Sequence, residues 1–423
     1  MPVWLIVLTT AIGTYLLIMI VRQFITPEKT VRHELNHLYK VDEEQFLRSV
    51  GNLLPPAILQ GNKITPLING DQIFPAMLDG IRSARKTITF ETFIYWSGKI
   101  GGEFASALTE RARAGVKVHV LLDWLGSNKV DEQLLRMMTD AGASVERYHP
   151  LRWYNVSRIN NRTHRKLLVI DGRIGFTGGV GIADEWLGNA QDADHWRDSH
   201  FKLEGPAVAQ MQSAFMDNWM TTEACVLHGD EYFPKLEPEG ESPAQVFQSS
   251  PEEGAESVRL MYLLSITAAA HSIRLGTAYF VPDDLTIDAI VAARKRGVRV
   301  EIIVPGKNID TQTVRRASRS RWGPLLEAGV DIFEYQPTMY HCKVVIVDDL
   351  WVSVGSTNFD NRSFRLNDEA NLNVYDRDLA AHQTQCFEQD KTRSKQITLE
   401  AWKSRPLQEK AIEHLAGLLR WQL

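Results

Sequence analysis

Two hydrophobic periods alternate along this chain. The short β-branched runs VKVHVLL (Val116–Leu122) and VRVEIIV (Val298–Val304) read as buried strands. Each follows a stretch with helical spacing that stops at a glycine, FASALTERARAG (Phe104–Gly115) and IDAIVAARKRG (Ile287–Gly297). Strand and helix in alternation predict an α/β fold, with helices packed on a sheet. A third pattern opens the chain. From Pro2 to Val21 there is no charged residue, and nearly every position is apolar. Such a run suits a helix crossing roughly 30 Å of hydrocarbon. No Lys or Arg precedes it and bulky residues fill its end, so an uncleaved transmembrane anchor is expected over a signal peptide. Arg22, Lys29 and Arg32 follow the run, which by the positive-inside rule puts the body on the cytoplasmic side. Glu28 and Glu34 weigh little under that rule.

The pattern is written twice. KTITFETFIYW (Lys86–Trp96) matches HSIRLGTAYFV (His271–Val281), and RAGVKVHVLLD (Arg113–Asp123) matches KRGVRVEIIVP (Lys295–Pro305). AGASVERYHP (Ala141–Pro150) matches AGVDIFEYQP (Ala328–Pro337), and THRKLLVID (Thr163–Asp171) matches YHCKVVIVD (Tyr340–Asp348). The same order in both copies marks a duplicated domain. The expected organisation is an anchor at 1–22, a juxtamembrane segment at 23–60, a first half at 61–227, a linker at 228–257, a second half at 258–391 and a helical tail at 392–423. The linker is placed by its Pro, Gly, Ser and Glu content. In the tail, Leu407, Ile412, Leu415, Leu418 and Leu419 can share one apolar face ending near Trp421. That face is expected to pack on the body, with membrane contact as the second reading.

Charge and cysteine content narrow the class. A net charge of −5 and a pI near 6.2 argue against a dedicated nucleic-acid binder, so no nucleic-acid partner is expected. Cys225, Cys342 and Cys386 are few, odd in number and not at metal-ligand spacing, which suits a reducing compartment.

The repeat carries the chemistry. His164-Arg165-Lys166-LLVI-Asp171 leads to Gly178-Gly179, and His341-Cys342-Lys343-VVIV-Asp348 leads to Gly355-Ser356. A strand puts residues i and i+2 on one face, so each His points with its Lys. If the halves meet about a pseudo-twofold axis, two imidazoles and two ammonium groups share a cleft. That is a poor core, because buried unpaired cations are costly, but a good phosphate site. Lys166 and Lys343 can neutralise non-bridging oxygens, with Ser356 and Asn358 as hydrogen-bond donors. One neutral His can attack phosphorus, and the other can protonate the leaving oxygen. The lysines supply the positive charge, so no cofactor and no metal is expected. Each His needs an acid on its other ring nitrogen. Asp198 and Glu369 follow their motifs at equivalent places, about thirty residues after the His, and are assigned to His164 and His341 respectively. N-x-S/T matches such as Asn161-Arg162-Thr163 sit beside these positions and are read as accidental.

These residues resemble the phospholipase D superfamily, whose signature is HxKx4Dx6G(G/S). The second copy, with its GS-x-N-x-D-x-RSF run, and the segments AYFVPDD and WRDSHFKLEGPAV look most like bacterial cardiolipin synthases. The resemblance covers residues 60–420 approximately. It implies a duplicated phospholipase D-like α/β fold of two pseudo-twofold sheet-and-helix halves behind the anchor, in a bacterial inner (cell) membrane. It implies a phosphatidyltransferase working through phosphohistidine, with His164 as nucleophile and His341 as acid/base. The signature residues are His164, Lys166, Asp171, His341, Lys343 and Asp348, the two aspartates being read as structural at their turns. Phospholipids are the implied partners, phosphatidylglycerol as acceptor and phosphatidylethanolamine as another possible donor. A phospholipase D-type hydrolase of lipid or nucleic acid is the alternative.

The copies differ at one place. Gly181 stands where the second copy has Asn358, so the first half lacks a side-chain donor there, and a backbone amide can substitute. Two surface features stay open between readings. Arg315, Arg316, Arg319 and Arg321 either meet anionic headgroups or form a solvated helix face. Trp153, Tyr154, Trp186 and Trp196 either line an acyl entrance or pack.

Overall fold

The computed structural model describes residues 2–24, 35–151, 160–251 and 257–423. The first half contributes β1 (Leu59–Ile68), β2 (Thr87–Thr92), β3 (Lys117–Asp123), β4 (Ser144–Tyr148), β5 (Arg162–Thr163), β6 (Leu167–Ile170), β7 (Ile174–Gly178) and β8 (Ser199–Glu204). The second contributes β9 (Ser242–Ser249), β10 (Ser272–Thr277), β11 (Arg299–Pro305), β12 (Asp331–Tyr335), β13 (Lys343–Val347), β14 (Trp351–Gly355), β15 (Asn367–Tyr375) and β16 (Ser394–Ile397). All sixteen belong to one continuous sheet.

The duplication sets the order of that sheet. At its centre β1 pairs antiparallel with β9. Outward from β1 run β8, β7, β6, β2, β3 and β4; outward from β9 run β15, β14, β13, β10, β11 and β12. The two series are equivalent strand for strand, which is a pseudo-twofold relation between halves. The outer strands β2-β3-β4 and β10-β11-β12 pair in parallel, as crossover helices such as Lys99–Arg113 and Asp284–Lys295 require. Helices cover both faces, so strands such as β13 are buried at every position.

The motif aspartates stand at turns. Asp171 and Gly172 both have positive φ between β6 and β7, and Asp348 and Asp349 repeat this between β13 and β14. The Asp171 carboxylate accepts from the backbone N–H groups of Arg85, Lys86 and Thr87 at 2.7–2.9 Å. Asp348 accepts from those of Ala270, His271 and Ser272 at 2.7–2.8 Å. Each aspartate thereby ties its hairpin to the entry of the antiparallel neighbour, β2 in the first half and β10 in the second.

Three expectations change. The segment expected as a linker supplies β9, a central strand paired with both β1 and β15. Its SPAQVFQS run is mostly buried, and the Pro, Gly and Glu around it masked that signal. The juxtamembrane segment contains the helix Glu44–Leu53, whose Phe46 and Val50 enter the core of the second half beside Met261 and Trp351. The tail leucines do not pack inward. Leu407, Leu415, Leu418 and Leu419 are 50–82% exposed, and Glu413 and Ala416 are buried instead.

A helix forms at Val3–Phe24, where the anchor is expected. Among the described residues no helix is long and apolar enough to cross a membrane, so the helix is observed and the span is not. Lys29, Arg32, Trp153 and Tyr154 lie outside the described residues.

Candidate active site

The two motifs sit at the entries of equivalent strands, His164 and Lys166 just before β6, His341 just before β13 and Lys343 at its first position. Strands β6 and β13 are fully buried, and this fixes the ends from which the motif side chains project. Both histidines and Lys166 line a single cleft of 130 Å³ together with Trp186, Trp196 and Asn358. Lys343 is buried directly behind His341, its Nζ 3.2 Å from the ring Nε2. Each lysine also donates to its own motif histidine's carbonyl at 2.7 Å, which folds the ammonium back toward the imidazole.

The acids come from the opposite halves. His164 Nδ1 lies 3.0 Å from both carboxylate oxygens of Glu369, and His341 Nδ1 lies 2.7 Å from Asp198 Oδ2. The expected pairing of Asp198 with His164 and Glu369 with His341 is therefore corrected: the pairs are crossed. The backbone explains why. His164 N–H donates to the carbonyl of Asp368 at 2.9 Å, and His341 N–H to that of Arg197 at 2.8 Å. Each histidine is thus docked on the residue preceding its acid in the other half. β5 pairs with β15 in this way, and a bridge between Arg197 and Tyr340 mirrors it.

An ionised carboxylate only accepts, so Nδ1 carries the proton in both pairs and the Nε2 lone pair is left unprotonated, at His341 within 3.2 Å of the Lys343 ammonium. Burial pushes the His164 pKa down to about 4 and that of His341 to about 3, against the pull of the carboxylates. Burial would raise Asp198 and Glu369, but the facing histidine and the lysines outweigh it and hold both below their usual range. Burial also lowers Lys166, to about 7, and lowers Lys343. The resting site is two neutral imidazoles beside two anionic acids.

The glycine asymmetry has a steric cause. A Cβ on Gly179 would lie 2.2 Å from Asp198 Oδ1. Ser356, its counterpart, is tolerated because its hydroxyl donates to Glu369 Oε2. This corrects the expectation for Ser356: the side chain is fully buried and serves the carboxylate instead of the cleft. In the first half Trp186 takes that role, its Nε1 donating to Asp198 Oδ2 at 2.9 Å. Trp186 also meets the His341 ring edge-on, with centroids 5.2 Å apart. Gly181 stays small because a Cβ would lie 2.8 Å from Ile94. Asn358 does line the cleft, and its Oδ1 is buried without a hydrogen-bond partner.

Trp196 is half-buried and also lines the cleft. The sequence reading missed Tyr279, Asp310, Asp360 and Arg362 in the lining. Asp360 and Arg362 lie inside the GS-x-N-x-D-x-RSF run, and Tyr279 matches Ile94 in the repeat, so a signal was present for three of them. The arginine cluster is mainly structural. Arg315 pairs with Glu334 at 2.7 Å, Arg319 with Glu334, Glu409 and Glu413, and Arg321 with Asp284; Arg316 is the exposed member of the four.

Comparison with known proteins agrees with this geometry. The family described as "Cardiolipin synthase, PLD-like domain" matches residues 77–219 and 262–391, one segment in each half. "Cardiolipin synthase 2" of Bacillus anthracis is 37% identical over 358 residues, covering 84% of this chain and 69% of the relative. "Cardiolipin synthase 2" of Staphylococcus epidermidis is 34% identical over 361 residues, covering 85% and 74%. The crystal structure of phosphatidylserine synthase from Haemophilus influenzae superposes with a TM-score of 0.68 at 16% identity, covering 90% of this chain and all of that one, a likeness of fold. The chain belongs to the cardiolipin synthase family of the phospholipase D superfamily and is a phosphatidyltransferase.

Proposed function

We propose that this enzyme makes cardiolipin, moving a phosphatidyl group from one phosphatidylglycerol to the headgroup glycerol of another through a phosphohistidine. The observation that carries the reading is the pair of cleft-lining imidazoles, each with its Nδ1 held by a buried carboxylate from the other half, beside buried lysine charge. His164 Nε2 attacks phosphorus, and the bond to the leaving glycerol breaks as His341 gives that oxygen a proton. The neutral resting His341 takes up this proton when the anionic phosphate enters and raises its pKa. In the second step His341 withdraws the proton of the acceptor hydroxyl. That oxygen attacks phosphorus, and His164 leaves. Lys166 and Asn358 face the charge that builds on the non-bridging oxygens, and Lys343 adds its charge from behind His341. Asp171 and Asp348 hold strands and take no part in proton transfer.

A cleft of 130 Å³ is small beside the usual ligand pocket, so it suits a headgroup phosphodiester and leaves acyl chains outside. That fits a substrate presented from a bilayer. On the strength of the uncharged run Pro2–Val21 alone, the N-terminal segment is proposed as the single-pass anchor in the bacterial cell membrane, with the body on the cytoplasmic side. Anchoring raises the effective concentration of lipid at the site. The test is to incubate membranes holding the protein with phosphatidylglycerol and follow the lipids by mass spectrometry. Cardiolipin and free glycerol are expected; phosphatidic acid alone would move the reading to hydrolysis.

A further inference from the structure

The helix Leu407–Gly417 is amphipathic in the reverse sense for a packed element. Its inward face is polar. Arg319 of the helix Gln312–Ser320 donates to Glu413 at 2.7 Å and to Glu409 at 3.1 Å, and Ala416 alone adds buried apolar surface. Its outward face is apolar. Leu407 is 82% exposed, Leu415 63%, Leu418 64%, Leu419 50% and Ile412 45%. A water-facing helix normally shows the opposite arrangement.

Two further observations say what covers this face. First, the end of the helix is fastened to the rim of the cleft. The carbonyl of Arg420 accepts from Asn361 Nδ2 at 3.0 Å, and that of Leu423 accepts from Arg362 N–H at 3.1 Å. Leu423 packs against the same small buried cluster as Tyr279 and Trp196, two lining residues of the cleft. Second, the flanks carry basic side chains, several of them ion-paired, in a chain whose net charge is −5. Lys403, Arg405, Lys410 and His414 line a cavity of 290 Å³ with Glu413; Glu413 pairs with Arg405 at 2.8 Å and Glu327 with Lys403 at 2.9 Å, so Lys410 carries the charge left for a headgroup. His414 and Arg420 line a second, of 260 Å³, with Arg321 and Trp421, where two arginines share the single carboxylate of Asp284. Exposed leucines with a basic border are what an interfacial helix presents to an anionic lipid surface.

We infer that the outward leucine face of Leu407–Leu419 docks on an anionic bilayer and seats the mouth of the cleft against it. This rests on the phosphatidyl transfer proposed above, which requires the substrate to reach a cleft too small for its chains. It adds a second membrane contact, far in sequence from Val3–Phe24. Each leucine that inserts contributes by its buried apolar area, and the cationic flank adds attraction to anionic headgroups.

The test uses the full chain reconstituted in vesicles of phosphatidylglycerol and phosphatidylethanolamine. Leu418→Cys, with Cys225 and Cys386 replaced by Ser, carries a nitrobenzoxadiazole label. Blue-shifted emission that is quenched by lipids spin-labelled on the acyl chain is expected. Aqueous emission overturns the inference, and so does a blue shift that those lipids do not quench, which marks contact with protein. In parallel, Leu415→Ser/Leu418→Ser/Leu419→Ser should lose ~tenfold or more of its activity on vesicles. It should keep wild-type activity on short-chain phosphatidylglycerol dispersed as monomers. Equal loss on both substrates makes the leucines structural and overturns the inference. If the wild-type protein makes no cardiolipin in either format while the label is still quenched, docking stands and the transfer reading fails.

Discussion

His341 Nδ1 lies 2.7 Å from Asp198 Oδ2, although 143 residues separate them in the chain. His164 and Glu369 repeat the relation at 3.0 Å across 205 residues. Neither half owns a complete histidine–carboxylate pair. The seam between β1 and β9 is therefore part of the site's chemistry, since a shift there misplaces both imidazoles at once. Arg165 reinforces the seam. Its fully buried guanidinium donates to Ala214 and Asp217 of the first half and to Ser249 of the second.

The crossing separates the effects of the two acids. A substrate with p-nitrophenol as leaving group needs no proton from His341 in the first step. Glu369→Gln, which disturbs His164, should abolish the burst of p-nitrophenol. Asp198→Asn, which disturbs His341, should keep the burst and slow turnover by about 10²–10⁴-fold. Stopped-flow absorbance reads both. Pairing within each half predicts the reverse pattern.

Gly179 and Ser356 occupy matching places but do not exchange. Gly179→Ser brings the signature of the first copy into line with the second, yet its Cβ would meet Asp198 Oδ1 at 2.2 Å. It should cost about a hundredfold or more in kcat by displacing the acid behind His341. Ser356→Ala removes a donor from buried Glu369 and should lower stability by about 1–3 kcal/mol in urea titrations.

Much of this was legible because duplication repeats local chemistry. A His-x-Lys pair before four apolar residues marks a strand entry whichever half it occupies. The strands VKVHVLL and VRVEIIV likewise follow from their own composition. The crossing was not legible, because Asp198 and Glu369 sit at equivalent spacing and either pairing satisfies a pattern in one dimension. Which histidine each acid meets is decided by the backbone bonds from His164 to Asp368 and from His341 to Arg197, and these are tertiary. The leucine face of the tail was visible as a stripe. Its outward direction was not, since the Arg319 ion pairs that turn the helix over lie ninety and more residues away in sequence.

Lys166 sets a pH limit on phosphate binding. Burial brings its pKa to about 7, with Lys343 adding to the fall and Glu369 opposing it. The ammonium form is the one that meets an anion, so KM should rise with pH above about 7, approaching tenfold per unit. The effect on stability has the opposite sense. The folded state holds this proton less tightly than the unfolded chain, which keeps it to pH ~10.4. Between those limits the unfolded state binds more protons, so this group's share of stability grows as pH rises. KM profiles and thermal melts from pH 6 to 9 check both signs, and Lys166→Arg should flatten the KM profile because a guanidinium stays charged throughout.

Arg319 holds the tail against the body, and its loss can be weighed from the partners left behind. Its guanidinium reaches Glu413 at 2.7 Å, Glu409 at 3.1 Å and Glu334 at 3.3 Å. Arg319→Met does not strand these acids: Glu413 keeps Arg405 at 2.8 Å, and Glu334 keeps Arg315 at 2.7 Å. The cost should therefore be that of charge-assisted hydrogen bonds, about 3 kcal/mol, below the full penalty of an unpaired buried charge. The loss should be local, because the helix Leu407–Gly417 rests on these bonds with little apolar burial beneath it. Limited trypsin digestion should cut at Lys403, Arg405 and Lys410 well before the core unfolds. Glu413→Gln should loosen the tail less, since Arg319 retains Glu334 and Glu409. If Arg319→Met instead melts as one unit with wild-type protease resistance, packing and not these ion pairs holds the tail.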